Sequence, residues 1–167
     1  MGTYDLGTIV KAIETVLSAA AALVDSQVYD TLTEGIHEYP TLQVYPAANT
    51  GTSWNTQTDR MTFSGKVPAA AASATHLSVK EYTINADLFG QQRTHINEDM
   101  AALVGGIEDI EQILDTQEYS GGGLFGRPEI YDFRWSWNYV VFDYGGVGYV
   151  GARFTIMVRC GMGHTVG

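Results

Sequence analysis

Two segments of the chain repeat apolar residues at the three- and four-residue spacing of an amphipathic helix. The first runs from about Asp5 to Val24, and Asp5 is a candidate N-cap. The second runs from about Asn97 to Gln117, where Gly105 and Gly106 predict a kink or a close approach to another element. The apolar positions are Ile9, Val10, Ile13, Val16, Leu17, Ala20 and Val24 in the first helix, and Ile96, Met100, Leu103, Ile107, Ile110 and Leu114 in the second.

Between the helices the pattern predicts three strands and two long loops. Thr41–Tyr45 and Arg60–Val67 are predicted as short strands. His76–Leu88 is predicted as a longer strand, and its alternation shifts once near Lys80 and Glu81, which predicts a bulge. Loops are predicted at residues 47–59 and 66–75, and loops of this length often become ordered on binding. The candidate assembly residues of the first loop are Asn49, Thr50, Ser53, Trp54 and Asn55.

The last third of the chain has the alternation of a long β-hairpin. Two strands are predicted, Glu129–Tyr144 and Val147–Cys160, and Gly145-Gly146 between them suits a type I′ turn. This turn pairs Tyr144 with Val147 and fixes every other partner. The predicted pairs are Tyr139 with Ala152, Trp137 with Phe154, Trp135 with Ile156 and Phe133 with Val158 on one face, and Asp132 with Arg159 and Asn138 with Arg153 on the other.

The apolar face of the hairpin carries a dense aromatic stripe. Its residues are Tyr131, Phe133, Trp135, Trp137 and Tyr139. Their predicted cross-strand partners are mainly aliphatic, which favours burial in a core. A subunit interface and a sugar-stacking platform are the two alternatives.

These elements predict a single domain over residues 1–167 with an α+β fold. A mostly antiparallel sheet has one apolar face, and the two amphipathic helices pack on that face to make two layers. The long C-terminal hairpin is the best-specified part of the sheet.

The net charge of the chain argues against some classes of function. The chain has 19 acidic and 9 basic residues, a formal net charge of −10, and lysine only at Lys11, Lys66 and Lys80. This composition argues against a protein that grips nucleic acid by its phosphates or binds an anionic membrane surface. The segment from Thr94 to Gly126 holds seven acids and no lysine or arginine. We interpret its acidic residues as a solvated helix face with a candidate role in recognising a partner: Glu98, Asp99, Glu108, Asp109, Glu111 and Asp115.

The sequence offers no pattern typical of catalysis or of a cofactor. The four histidines form no metal-binding motif, and Cys160, the only cysteine, is predicted to point into the core. The glycines of SGGGLFG follow a helix and precede a strand, unlike a phosphate-binding loop. No apolar run is long enough to span a membrane, and the N-terminus MGTYDLG is unlike a secretory signal. We therefore expect a protein that is made in a cytoplasm, is not an enzyme, and needs no metal or other cofactor.

The order of these segments and their residue patterns resemble the tail-terminator, or tail-completion, family of long-tailed bacteriophages. An opening helix, TIVKAIETVL, precedes a hairpin with a polar loop and then a strand, LSVKEYTINADLF. The helix INEDMAALVGGIEDIEQIL, the glycine turn YSGGGLFG and a final hairpin that ends in YVGARFTIMVRC follow. The resemblance covers nearly the whole chain.

The resemblance implies a structural virion protein of the tail and neck. Such proteins form rings, usually hexamers, that cap the tail tube and join it to a head-side connector or stopper protein while DNA passes through the lumen. Related tube proteins share the fold and turn the sheet toward the lumen. The candidate lumen-facing residues are then Asp132, Arg134, Ser136 and Asn138, which lie opposite the apolar side of the hairpin.

Two alternatives remain open. The chain can be another part of the same assembly, either a tail-tube subunit that polymerises into open-ended tubes or a head-closure protein. It can instead be a carbohydrate- or small-ligand-binding β module, which requires Trp54, Trp135 or Trp137 to face solvent.

Overall fold

The computed structural model describes residues 6–33, 36, 38–57, 76–92, 100–117 and 123–164. Within these ranges the chain forms two helices, five strands and a short 3₁₀ turn. The elements, in chain order, are α1 (Leu6–Leu17), β1 (Asp25–Val28), β2 (Thr41–Gln57), β3 (His76–Gln92), α2 (Met100–Asp115), the 3₁₀ turn (Leu124–Gly126), β4 (Ile130–Tyr144) and β5 (Val147–His164).

All five strands belong to one sheet with the order β1-β2-β3-β5-β4. β1 is parallel to β2, and every other neighbouring pair is antiparallel. Both helices share one apolar core with the same face of the sheet. The predicted α+β class, with two helices on one face of a mostly antiparallel sheet and a C-terminal hairpin, is confirmed.

The core forms where the helical stripes meet alternate residues of the strands. Because side chains alternate between the two faces of a strand, every second residue of β3 and β5 points toward the helices. Met100 belongs to the predicted stripe of α2 but is 39% exposed, since it lies at the first turn of the helix. The fully or nearly buried residues include Ile9, Val10, Ile13 and Leu17 of α1, Leu103, Ile107, Ile110 and Leu114 of α2, and Ile84, Ala86, Leu88, Ala152, Phe154, Ile156, Val158 and Cys160 of the sheet.

The predicted hairpin register is confirmed at every pair. Tyr144 pairs with Val147, and all six further predicted pairs are found. Gly145 and Gly146 have φ values of 61° and 79°, the left-handed conformation that a type I′ turn requires at both positions. A register shift between Ile130 and Asp132 marks the start of β4.

The prediction of a loop at residues 47–59 is wrong over residues 47–57. These residues belong to β2, which continues to Gln57 and pairs with β3 from Gly51 onward. Backbone pairing with β3 explains the result, since a polar, threonine-rich segment forms a strand when a partner satisfies its amides. The predicted strand Arg60–Val67 and the predicted loop at 66–75 lie outside the described residues.

The prediction of a bulge near Lys80 and Glu81 is also wrong. β3 pairs with β5 in one continuous register through both residues, and the irregularities lie between Pro46 and Gly51 of β2 and between Phe89 and Gln91 of β3.

The first helix is shorter than predicted, and one strand was missed. α1 ends at Leu17, where the Ser18 hydroxyl donates to the Thr15 carbonyl, so the alanine run does not extend it. The chain must turn there to enter β1, and this tertiary demand outweighs helix propensity. β1 has only four residues and no clear alternation, which explains why the pattern did not reveal it. The predicted N-cap Asp5 lies outside the described residues.

The two adjacent glycines of α2 differ in their surroundings. A Cβ added to Gly106 would lie 3.1 Å from Leu88 Cδ2, whereas a Cβ added to Gly105 would meet nothing within 4 Å. α2 runs through both residues without a break. Gly106 therefore marks a close approach between helix and sheet, one of the two outcomes that the sequence predicted.

Candidate functional site

The face of the sheet opposite the helices, called the open face below, carries three arginines on β4 and β5. Arg134 lies on β4, and Arg153 and Arg159 lie on β5. Each alternates with core residues of its strand, so the side chains project away from the helices. In a chain with a formal net charge of −10, this concentration of arginine on one face identifies it as a candidate site.

Arg153 forms a bidentate ion pair with Asp87 of β3. Its Nε lies 2.8 Å from Asp87 Oδ1 and its Nη2 lies 3.0 Å from Oδ2. The Tyr45 hydroxyl donates to Asp87 Oδ2 at 2.5 Å and accepts from Arg153 Nη2 at 3.0 Å. The hydrogen bond to Asp87 raises the pKa of Arg153, and burial together with that carboxylate raises the pKa of Tyr45 to about 12. Arg153 is therefore held by a neighbouring anion and stays charged.

Arg159 lies between two carboxylates in one transverse row of the sheet. Its Nε is 3.0 Å from Glu81 Oε2 on β3, and its Nη1 is 3.4 Å from Asp132 Oδ2 on β4. Because the three residues are direct cross-strand partners, backbone register itself places the charges together. Arg134 is different, since its Nη2 contacts Met157 Sδ at 3.2 Å and it forms no ion pair among the described residues.

The structure places the four candidate lumen residues on the open face. Asp132 is half-buried against Arg159, while Arg134, Ser136 and Asn138 are exposed. Asn138 is the backbone partner of Arg153, as predicted, but the guanidinium turns instead toward Asp87 on the other neighbouring strand.

One end of the open face is partly covered. Ile36 packs against Phe89, Phe142 and Tyr149 in a second, smaller apolar cluster. Beside this cluster lies a cleft of about 410 Å³ that has the Asp87–Arg153 pair in its wall. The Arg153 guanidinium also lies over the Phe142 ring, 5.4 Å from its centroid. This contact with an aromatic ring adds to the ion pair in holding the guanidinium in place.

The second candidate surface is the outer edge of β4, called the β4 edge below. β4 has 15 residues, and in the described part of the chain its only neighbouring strand is β5. Such an edge presents unpaired backbone donors and acceptors to solvent. Tyr139 and Val141 are 57% and 55% exposed, and with Met100 and Val150 they line an apolar groove of about 430 Å³.

The aromatic stripe is only partly buried, so its interpretation as core needs correction. Tyr131 is buried, Phe133, Trp135 and Trp137 are half-buried, and Tyr139 is exposed. The reason is topological, because β4 lies at one edge of the sheet and the helices contact mainly β1, β2 and β3. Trp137 reaches α2 all the same, where its indole N–H donates to Glu111 Oε1 at 2.5 Å.

The acidic residues of α2 do not form one uniform outer face. Glu108 and Asp115 are exposed, but Asp109 and Glu111 are half-buried and contact other parts of the chain. Asp109 Oδ2 accepts the backbone N–H of Ala22 at 3.1 Å, and Glu111 accepts from Trp137. Glu98 and Asp99 lie outside the described residues.

The candidate assembly residues of the predicted loop also lie elsewhere than expected. Ser53, Trp54 and Asn55 are backbone partners of Lys80, Val79 and Ser78 within the sheet. Asn49 and Thr50 fall in the register shift between Pro46 and Gly51.

Cys160 is fully buried, as predicted, and burial raises its pKa to about 12. A thiol in this state is a poor nucleophile. Among the described residues no group of three or more metal-ligating side chains comes together, and no helix is long and apolar enough to cross a bilayer.

Comparison with known proteins adds no relative. No protein-family model matches the chain, and no curated protein sequence matches it significantly. Functional inference therefore depends on the geometry of the open face and the β4 edge.

Sequence reasoning missed the Asp87–Arg153–Tyr45 cluster and the part that Glu81 plays beside Arg159. The hairpin register correctly placed the arginines on one face, but alternation does not tell which strand lies on the other side of β5. Asp87 did carry a signal, since it is a carboxylate inside a strand that is otherwise largely apolar, and a buried charge requires a partner.

Proposed function

We propose that this chain is a structural subunit of a closed homo-oligomeric ring, usually a hexamer in the family it resembles, that caps the tail tube of a long-tailed bacteriophage. In this proposal the ring lies at the tail and neck of the virion and joins the tail-tube protein to a head-side connector or stopper protein. DNA passes through its lumen, and the chain performs no catalysis. The sequence resemblance suggests this role, and the two surfaces described above support it.

The observation that carries the proposal is the β4 edge. A 15-residue edge strand with Tyr139 and Val141 more than half exposed is an aggregation hazard unless another chain covers it. A contact between this edge and a different surface of a second copy is heterologous, and repeated heterologous contacts close into a ring when the rotation allows. The apolar groove beside Met100 gives the contact a hydrophobic centre.

Charge supports the orientation of the subunit. The helical layer carries exposed acids such as Glu108 and Asp115, whereas Asp87, Glu81 and Asp132 on the open face are each ion-paired with Arg153 or Arg159. In a ring with the open face toward the lumen, DNA meets arginines that are engaged by carboxylates, and the acidic helix faces outward or toward a partner.

The test is the assembly state of the purified protein, measured by light scattering after size exclusion and by negative-stain microscopy. Rings support the proposal, open-ended tubes favour a tail-tube subunit, and monomers at all concentrations contradict it. Tyr139→Lys and Val141→Lys are expected to give folded monomers. Thr15→Lys, on the exposed side of α1, adds the same charge away from the β4 edge and should leave the rings intact.

The half-exposed Trp135 and Trp137 keep a sugar-binding module as the second candidate. Aromatic rings at a surface can stack on sugars, but the indole N–H of Trp137 is already bonded to Glu111. Iodide quenching of tryptophan fluorescence distinguishes the two functions. Strong quenching that a sugar relieves would favour the binding module, and quenching that ring assembly relieves would favour the β4 edge as an interface.

A further inference from the structure

We propose that the open face is a masked polyanion-binding surface, on which the carboxylates of Glu81, Asp132 and Asp87 prevent the arginines from retaining duplex DNA. This inference rests on the proposed function, since it assigns the open face to the lumen through which DNA passes. It adds the residues that keep this face from holding phosphates.

The masking follows from the geometry of two transverse rows. In one row Arg159 lies between Glu81 and Asp132, and in the other Arg153 is held through both Nε and Nη2 by Asp87. Arg153 and Arg159 are six residues apart on β5, which corresponds to about 20 Å along an extended strand. Arg153 and Arg159 are therefore separated, and each is already engaged by at least one carboxylate, whereas Arg134 forms no ion pair among the described residues.

The competition between carboxylate and phosphate determines what the face can hold. Arginine binds phosphate through the same fork of N–H groups with which it binds a carboxylate. With Nε and Nη2 of Arg153 given to Asp87, and Nε and Nη1 of Arg159 given to Glu81 and Asp132, a phosphate must displace an anion that the sheet holds in place. The second carboxylate beside Arg159 adds a negative charge that repels an approaching phosphate.

The carboxylates beside Arg159 can be substituted without damage to the fold, unlike Asp87 beside Arg153. Asp87 is 3% exposed and its loss would leave a buried cluster unpaired, but the side chains of Glu81 and Asp132 are 19% and 40% exposed. The double variant Glu81→Gln with Asp132→Asn keeps the shapes and the hydrogen-bond acceptors while it removes two negative charges. Arg159 then keeps its charge without these two carboxylates, on the same face as Arg134, which lies 25 residues earlier in the chain on the neighbouring strand.

The experiment compares binding of a 30-base-pair duplex by the full chain, by the double variant and by a control, across a series of salt concentrations. The control, Glu108→Gln with Asp115→Asn, changes net charge by the same amount on the exposed side of α2. The double variant is expected to bind about tenfold more tightly at low salt, with a salt dependence that steepens by about 0.9 for each arginine that contacts a phosphate. The control is expected to bind as weakly as the unmodified chain.

Three results would overturn the proposal: equal gains for the double variant and the control, no gain for either, or tight salt-sensitive binding by the unmodified chain. Circular dichroism and thermal melting verify folding of each variant, and Asp132→Asn alone serves as a milder variant with a smaller expected gain. Size exclusion of the same samples reports assembly separately. Failure to form rings thus counts against the proposed function, while the binding comparison tests the masking itself.

Discussion

Trp137 donates its indole N–H to Glu111, so the edge strand of the sheet is tied to the second helix by a hydrogen bond to a charged group. The partners come from β4 and α2, 26 residues apart in the chain. This contact holds the half-buried aromatic stripe against the helix and leaves the residues further along β4, Tyr139 and Val141, exposed. It therefore determines where the covered part of the stripe ends and the candidate interface begins.

The coupling between these two residues can be measured. We expect Trp137→Phe to lower the free energy of unfolding by about 1–2 kcal/mol, because a half-buried hydrogen bond to a carboxylate is lost along with some ring area. Glu111→Gln should lower the free energy of unfolding by less, since the amide oxygen of glutamine still accepts the hydrogen bond from the Trp137 indole. Urea unfolding of both variants and of their combination gives the coupling energy, expected at about 1 kcal/mol. Additive effects would show that the hydrogen bond does not stabilise the fold.

The two glycines of α2 should respond in opposite ways to alanine. Gly105→Ala is expected to stabilise the protein by about 0.5–1 kcal/mol, since alanine favours helix and the new Cβ meets open space. Gly106→Ala gains the same helix propensity, but the new Cβ would lie 3.1 Å from Leu88 Cδ2 and must displace that side chain. The melting temperature of this variant should therefore not rise. Differential scanning calorimetry compares the pair. Equal stabilisation by both substitutions would mean that the helix and sheet can move apart freely.

The ion pair at Asp87 should contribute strongly to stability. Asp87→Ala removes the carboxylate that holds Arg153 and accepts from Tyr45, and leaves both groups without this partner. Because the side chain of Arg153 is 37% exposed, water compensates part of the loss. We therefore expect the free energy of unfolding, measured by chemical denaturation, to fall by about 2–3 kcal/mol. As a control, Asp143→Ala removes an exposed carboxylate in the wall of the same cleft. Its free energy of unfolding should differ from that of the unmodified chain by no more than about 0.5 kcal/mol. A similar, small effect for both would contradict this account.

Stability should fall at alkaline pH because burial raises the pKa of three tyrosines, Tyr45, Tyr82 and Tyr131, and of the Cys160 thiol in the folded chain. Burial raises the pKa of Tyr45 and of Tyr131 from 10.0 to about 12. A group whose pKa is higher in the folded than in the unfolded chain stabilises the fold fully at a pH below its unfolded-state pKa. This stabilisation is lost as the pH rises toward the folded-state pKa. Urea midpoints should thus be steady below about pH 9, decline first through the Cys160 thiol, and decline more steeply between pH 10 and 12, where the tyrosines contribute. Tyr45→Phe should reduce the steepness of that decline, and an unchanged slope would exclude Tyr45 as its source.

Periodicity predicted the parts of the fold that are decided locally. The hairpin register followed from one glycine turn and from two apolar sets with period 2, and every predicted pair is present. The buried stripe of α2 followed from its spacing, with only Met100 exposed among the described positions. Residues 47–57 and β1 were not predicted, because a polar strand and a four-residue strand form only when a partner strand satisfies their backbone groups.

The candidate site depended more on tertiary structure than the fold did. By itself the sequence determined that Asp132, Arg134, Arg153 and Arg159 share one face of the hairpin, since alternation depends on local backbone geometry alone. Only the sheet order β3-β5-β4 decided that Glu81 and Asp87 lie beside the arginines and that β4 is an edge strand among the strands that the structure describes. The physical reason is that strand pairing joins residues more than 60 positions apart, and alternation within one strand carries no record of the strand that will lie next to it.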